Sequence, residues 1–444
     1  MIDGLLNVPT LVKVLGSLAL ILVVNRLARN LLVSVLAGTA ALALWSGAPA
    51  GTLAGIAWRR VSEPSTLGLV VAIFLVIWLS GQMAAAGVMT DLVHAVRART
   101  GKRHSMAILP AVIGMLPMPG GALFSAPMVD RVDADGSVRP MLKAQTNYWF
   151  RHVWEYWWPL YPGVMLAISI TGLEIWQFML LQVPLTLFSL AAGYVFLLRR
   201  IPRASGPATE PSDGDASGAP RPGFLRLIMP IAVVIGTYAA VEGGWWAAQE
   251  RWPDLPELNT YAPMILGLVL AIAVQQVRRP LAWRPWRTIL ISRRTAMMVL
   301  LVVILRVYGA LIEAPLPGGG SMVDAMRGEM DRWSIPVLGM MMLLPFIAGL
   351  TTGICIGFVG ASFPIVVSLV APGAPRAELL AAVTLAFGFG YMGMMLSPVH
   401  LCLIVTNEHF RTGLVQSLRG LLPPAAVMLA VVTAYHAALR LIGG

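Results

Sequence analysis

The chain has 444 residues, 57% hydrophobic and 12% charged, with a formal net charge of +11. A soluble globular chain carries about 25% charged residues, so this composition excludes an ordinary water-soluble domain. The excess Lys and Arg lie in short links between apolar runs, where membrane topology puts them, and predict no nucleic-acid partner.

Spanning a bilayer as a helix takes roughly 20 apolar residues. In chain order, spans are predicted near 8–25, 31–46 and 66–90, then a hairpin near 105–130, an interrupted span over 142–170 and a span over 174–198. The first run, Leu11 to Val24, lacks a basic segment ahead of it and reads as a retained span, with no cleaved signal. Residues 199–223, rich in Pro, Gly and Ser around Ser205 to Pro220, read as a flexible cytoplasmic linker. The order then repeats. Spans fall near 225–242, 261–277 and 295–313, followed by a hairpin near 336–371, an interrupted span over 378–405 and a last span over 418–441.

The repeat is carried by specific residues. Met106-Ala-Ile-Leu-Pro-Ala-Val-Ile-Gly114 returns, altered, as Met341-Met-Leu-Leu-Pro-Phe-Ile-Ala-Gly349. Ser125-Ala-Pro127 answers Ser362-Phe-Pro364, Ser80-Gly81 answers Tyr308-Gly309, and Pro159 answers Pro398. Each half, residues 1–198 and 224–444, has five crossings and one hairpin that does not cross, so the second half enters from the opposite side. The expected fold is an all-α polytopic membrane protein with about ten transmembrane helices and two re-entrant hairpins in two inverted repeats. The basic links 97–103, 199–226 and 278–294 set one side as cytoplasmic, with Arg59 and Arg60 dissenting. A multi-pass protein of the inner (plasma) membrane follows.

Irregular backbone at membrane depth is tolerated only where protein buries it or where it lines a wet cavity. Four such places are implied: the two hairpin tips, Trp157 to Gly163, and Met395 to His400. The candidate binding residues are therefore Pro117, Gly120, Gly121 and Ser125 in the first hairpin, and Thr351, Thr352, Gly353 and Ser362 in the second. Ser397 and His400 join them from the second break. The bland alternative is that Pro and Gly only kink the helices and that the hydroxyls bond carbonyls of their own helix. Intramembrane ionisable groups are functional candidates by default. His152 and Glu155 share a helix face beside Arg151 and are candidates for proton relay or substrate contact. Their alternative is an internal ion pair, or an interfacial placement among Trp149, Trp154, Trp157 and Trp158. Arg306 is a candidate for charge or anion binding; its alternative is a structural pair with Glu155 or Glu313. Cys355 and Cys402, in apolar stretches, read as reduced packing residues. No metal-site, nucleophile-elbow or phosphate-loop motif occurs, so neither an enzyme nor a resident cofactor or metal is expected.

Leu116 to Val129, together with Leu396-Ser-Pro-Val-His-Leu-Cys402, resembles a family of uncharacterised prokaryotic integral membrane proteins. That family is grouped with the ion transporter superfamily of gluconate, C4-dicarboxylate, citrate and arsenite permeases. The resemblance implies hairpin tips that meet substrate and coupling ion, a homodimer, and an elevator-like movement. The chain departs from the sodium/dicarboxylate branch in lacking a Ser-Asn-Thr triplet at either tip. The expected function is a secondary active transporter of a small anion such as an organic acid, coupled to Na+ or H+. The alternative is a cation/proton antiporter, and a distant third is an intramembrane enzyme using His152 and Glu155.

Overall fold

The computed structural model describes residues 8–97, 100–116, 121–202, 223–316, 319–371 and 373–443. Pro117 and Gly120 of the expected first tip, and residues 203–222 of the linker, lie outside these described residues.

The described chain is helical, with only an isolated bridge between Pro315 and Ser321. The first half runs α1 (Thr10–Ala28), α2 (Leu31–Ser46), α3 (Ala50–Ser62), α4 (Pro64–Ala85), α5 (Val88–Arg97), α6 (Lys102–Gly114), α7 (Ala122–Val132), α8 (Pro140–Arg151), α9 (Pro162–Thr171) and α10 (Ile175–Phe196). The second runs α11 (Phe224–Leu227), α12 (Met229–Arg251), α13 (Ala262–Arg278), α14 (Trp283–Leu290), α15 (Arg293–Ile312), α16 (Met322–Arg332), α17 (Val337–Thr352), α18 (Cys355–Leu369), α19 (Arg376–Met395), α20 (Leu401–Phe410) and α21 (Leu414–Gly443).

Local chemistry sets the boundaries. Pro64, Pro140 and Pro162 open α4, α8 and α9, where a missing N–H costs nothing. Asn30 caps α2 by accepting from the Val33 N–H, two residues after α1 stops, so α1 and α2 pack side by side. Gly353 ends α17 at φ 65°, a left-handed conformation that favours glycine, and donates its N–H to the Gly349 carbonyl at 2.8 Å.

Among the described residues, seven helices are long and apolar enough to cross a membrane, or eight if the pair α16 and α17, bent by 114°, counts as one. This corrects the expectation of about ten spans. Of the expected spans, 31–46 and 261–277 form helices of only 16 and 17 residues, and 142–170 splits into α8 and α9. Helix α8 is also polar, carrying Lys143, Gln145, Asn147 and Arg151. Four helices were not foreseen: α3, α5, α14 and α16. Each has apolar residues on one face only, so a search for continuous apolar runs passes over them.

The core lies where α17, α18, α19 and α21 meet. Phe178, Phe358, Phe363 and Phe387 interlock there, with ring centroids 5.4–6.3 Å apart. Glycines allow close crossings. A Cβ on Gly349 would collide with the Gly390 carbonyl, and one on Gly393 with the Phe346 carbonyl, so α17 and α19 touch backbone to backbone.

Neighbour relations in the two halves correspond. Helix α6 packs on α7 and α8, as α17 packs on α18 and α19. Across the halves, α7 packs on α20 and α18 on α9, while α2 packs on α15 and α13 on α4.

Outside the spans, the α7–α8 turn is closed by charge. Lys102 Nζ lies 2.5 Å from Asp133 Oδ1 and also bonds Asp135, while Lys143 Nζ lies 2.6 Å from Asp130 and 3.1 Å from Asp133 Oδ2. The Lys102 hydrogen bond pulls the Asp135 carboxyl down from 3.8 to about 2. Burial alone would lower Lys102, but Asp133 and Asp135 outweigh it and its ammonium is held above the usual value.

Candidate functional site

Two breaks in the helices build the site. Helix α8 stops at Arg151 and the chain resumes as α9 only at Pro162; α19 stops at Met395 and α20 starts at Leu401, with Pro398 between. Proline in these stretches removes a donor and blocks continuation of the helix. The breaks face each other. His152 and His400, 248 residues apart, approach Nε2 to Nε2 at 3.1 Å, with ring centroids 4.8 Å apart and planes at 88°.

The Nδ1 edges of both rings point at backbone. His152 Nδ1 lies 2.6 Å from the Tyr148 carbonyl and His400 Nδ1 3.4 Å from the Met394 carbonyl. Arg151 Nη1 lies 3.2 Å from His152 Nε2 and donates to Cys402 Sγ at 3.3 Å. Glu155 Oε1 is 3.8 Å from His152 Nε2. All five residues are buried. Tyr148 packs against both imidazoles, tilted on His152 at 4.7 Å and edge-on to His400 at 5.2 Å, and donates to the Met395 carbonyl at 3.0 Å. Tyr391 donates to the His152 carbonyl and Tyr161 to the Gly114 carbonyl, which ties the first break to α19 and α6. The result is a guanidinium, a carboxylate, two imidazoles and a thiol gathered in a buried, aromatic-walled cluster. Such a group can bind an ion of either sign or pass a proton.

Gly121 and Gly353 border this cluster. A Cβ on Gly121 would collide with the Arg151 guanidinium, and one on Gly353 would come within 3.0 Å of the His400 N and Ser397 Oγ. Of the candidate residues, Gly121, Gly353, Ser397, His152, Glu155 and His400 lie together here. The hydroxyls behave differently. Thr351 donates to Ile347, Thr352 to Ala348 and Ser362 to Phe358, each to a carbonyl of its own helix one turn back. Ser397 donates to the Leu350 carbonyl at 2.6 Å. Ser125 is buried, and its Oγ has no hydrogen-bond partner among the described residues.

Arg306 lies elsewhere. Its Nη2 pairs with Glu63 at 3.3 Å, its Nε donates to Thr66 Oγ1 at 3.2 Å and its Nη1 to the Ser169 carbonyl at 3.0 Å. The partner is neither Glu155 nor Glu313. Glu313 pairs instead with Arg60 at 2.6 Å, and Arg60 also holds Glu63 at 3.2 Å. The dissenting charge on Arg60 is thus matched by two carboxylates. Sequence reasoning placed Arg151 beside the site without a role and read Cys402 as packing. The available signal for Cys402 was its position two residues after His400.

The class these features define is a polytopic helical membrane protein with a buried polar centre between two broken helices. The chain belongs to DUF401, a family of proteins of unknown function, whose model matches residues 11–208 and 262–439. No curated protein matches the chain.

Proposed function

We propose that the chain is a secondary active transporter of a small anion, built as two inverted repeats with re-entrant hairpins and allied to the ion transporter superfamily. The observation that carries this reading is the meeting of the two helix breaks, with His152 of one half against His400 of the other at 3.1 Å and Arg151 alongside. Interrupted helices at corresponding places in two halves are the best pointer to a transporter's binding site. The matched neighbour relations of α6–α8 and α17–α19, and the exchange of α7 onto α20 and α18 onto α9, support the repeat. Arg151 supplies the positive charge for the anion, in the place that Arg306 was expected to fill. Na+ or H+ supplies the driving gradient, and alternating access runs as an elevator-like movement of the hairpins and broken helices within a homodimer.

Glu155 favours a second reading. A buried carboxylate beside two imidazoles suits a cation/proton antiporter.

The deciding experiment measures the melting temperature of the purified protein against carboxylates, sulfonates, oxyanions and metal cations, with and without sodium, at two pH values. A ligand that binds only the folded state raises the midpoint by mass action. Stabilisation by one class of anion is expected. A response to alkali-metal cations alone would overturn the anion reading in favour of the antiporter.

A further inference from the structure

We propose that His152, His400 and Cys402 form a binding site for one thiophilic metal ion of the Zn2+ class, which ties the two helix breaks together. The inference goes beyond the transport reading and is tested at equilibrium, with no flux measured, so either can fail without the other.

The donor set comes first. His152 Nε2, His400 Nε2 and Cys402 Sγ all lie within 4.8 Å of one another, and all three residues are buried. Two imidazoles and a thiolate are borderline-to-soft ligands; they select Zn2+ or Cu+ over Mg2+ or Ca2+, which take oxygen.

Ring orientation comes second. Both Nδ1 atoms face backbone carbonyls, which accept hydrogen bonds and so favour a proton on each Nδ1. That tautomer turns both Nε2 lone pairs inward, toward each other. A carbonyl behind the ring is the usual outer support of a metal-bound histidine. With metal–nitrogen bonds of about 2.0–2.1 Å, two nitrogens on one tetrahedral ion stand roughly 3.3 Å apart. The observed separation of 3.1 Å is already close to that value. Cys402 Sγ would close by at most about 1.3 Å to take its place, given a metal–sulfur bond near 2.3 Å. Glu155 Oε1, 3.8 Å from His152 Nε2, is the nearest carboxylate for the fourth position.

Arg151 comes third. Its Nη1 contacts His152 Nε2 and Cys402 Sγ together, so a cationic group already sits where two of the three lone pairs converge. A metal ion and this guanidinium contact exclude each other. On binding, the Cys402 thiol releases its proton to water, any proton on His400 Nε2 leaves with it, and Arg151 swings away.

The test uses the purified full-length protein, with Co2+ as a spectroscopic stand-in for Zn2+. Wild type should take up one equivalent and show the visible absorption of a tetrahedral site plus a near-ultraviolet thiolate band, both erased by Zn2+. Cys402→Ser, nearly isosteric, should lose the thiolate band and bind at least tenfold more weakly. Cys355→Ser, at the other buried thiol, should keep the band. Arg151→Gln should bind more tightly than wild type, because the competing cation is gone. If wild type shows no Co2+ spectrum and no Zn2+-dependent rise in melting temperature, the site is a plain His400–His152 hydrogen bond and the proposal is overturned. An unchanged band in Cys402→Ser overturns it equally.

Discussion

The reach of Arg151 to the first hairpin tip can be tested with two glycines. Gly121 has φ −56° and ψ −16°, so alanine fits its backbone without strain. The added Cβ, however, would stand 2.9 Å from Arg151 Nε and 3.0 Å from Cζ, with Nη2 nearer still. Ordinary contact needs about half an ångström more at Nε. The Arg151 Nη1 bonds to His152 and Cys402 are 3.2 and 3.3 Å long, so a shift of that size away from them breaks the first and stretches the second. Hydrogen bonds to charged groups contribute about 1.5–3 kcal/mol each. If one such contact orients the guanidinium toward an anion, Gly121→Ala should weaken binding by about tenfold to a hundredfold, at 1.4 kcal/mol per decade.

Gly114 is the control. Its Cβ would strike the Arg151 carbonyl, which is backbone and cannot swing aside. Helices α6 and α8 would have to separate, an overpacking cost of about 1–3 kcal/mol or more. The assay is the melting temperature of both variants with a titration of the anion that stabilises wild type. Gly114→Ala should lose melting temperature without ligand, whereas Gly121→Ala should lose mainly its response to the anion. A wild-type response in Gly121→Ala would remove Arg151 from the binding site.

Arg306→Gln should lower stability by about 2 kcal/mol, the value of a charge-assisted contact, and leave the anion response intact; a lost response in folded protein would restore Arg306 as a ligand. Thr352→Val should change stability by less than about 1 kcal/mol and leave anion affinity unchanged, because that hydroxyl already bonds Ala348; abolished binding would contradict the assignment. Ser125→Ala should fold at least as well as wild type, since the mutation removes a buried hydroxyl without a partner among the described residues; weaker anion binding in that variant would make Ser125 a ligand. The Asp135 carboxyl has a folded value near 2 against 3.8. Its contribution is fully present above about pH 4 and lost as pH falls through 2, so Asp135→Asn should flatten the melting-temperature profile in that window. An identical acid limb in the variant would show that the Lys102 clasp does not hold the turn.

Much of the fold could be read from proline and glycine. Pro110 and Pro345, then Ser125-Ala-Pro127 and Ser362-Phe-Pro364, fall inside the paired helices α6 with α7 and α17 with α18, and Pro159 and Pro398 fall in the two stretches between helices. Helix spans were harder. Hydropathy finds continuous apolar runs, but α8 is polar and buried, because its partners are protein groups such as Thr406, Ser417 and Met395. Within the site, His152, Glu155 and His400 were legible as ionisable groups in apolar surroundings. Cys402 was not, since its neighbours Arg151 and His152 come from a helix 250 residues away in sequence. The threonine hydroxyls bond within their own helix for a local reason: a hydroxyl on a helix finds the carbonyl one turn back, and sequence alone does not distinguish that from an outward-facing ligand.

Two buried arginines illustrate what sequence left open. Arg306 lies within the apolar helix α15 and Arg151 ends the polar helix α8; both are buried, and their surroundings differ. Arg306 spends its donors on Glu63, Thr66 and the Ser169 carbonyl, a set that neutralises its charge and fixes its plane. An anion arriving there would have to displace a carboxylate, so the residue holds α15 to α4 and to Ser169 of α9. Nη1 of Arg151 rests instead on an imidazole nitrogen and a cysteine sulfur. On the transport reading, Arg151 at the helix breaks is the arginine that would meet the anion, and Arg306 is the one that holds helices together.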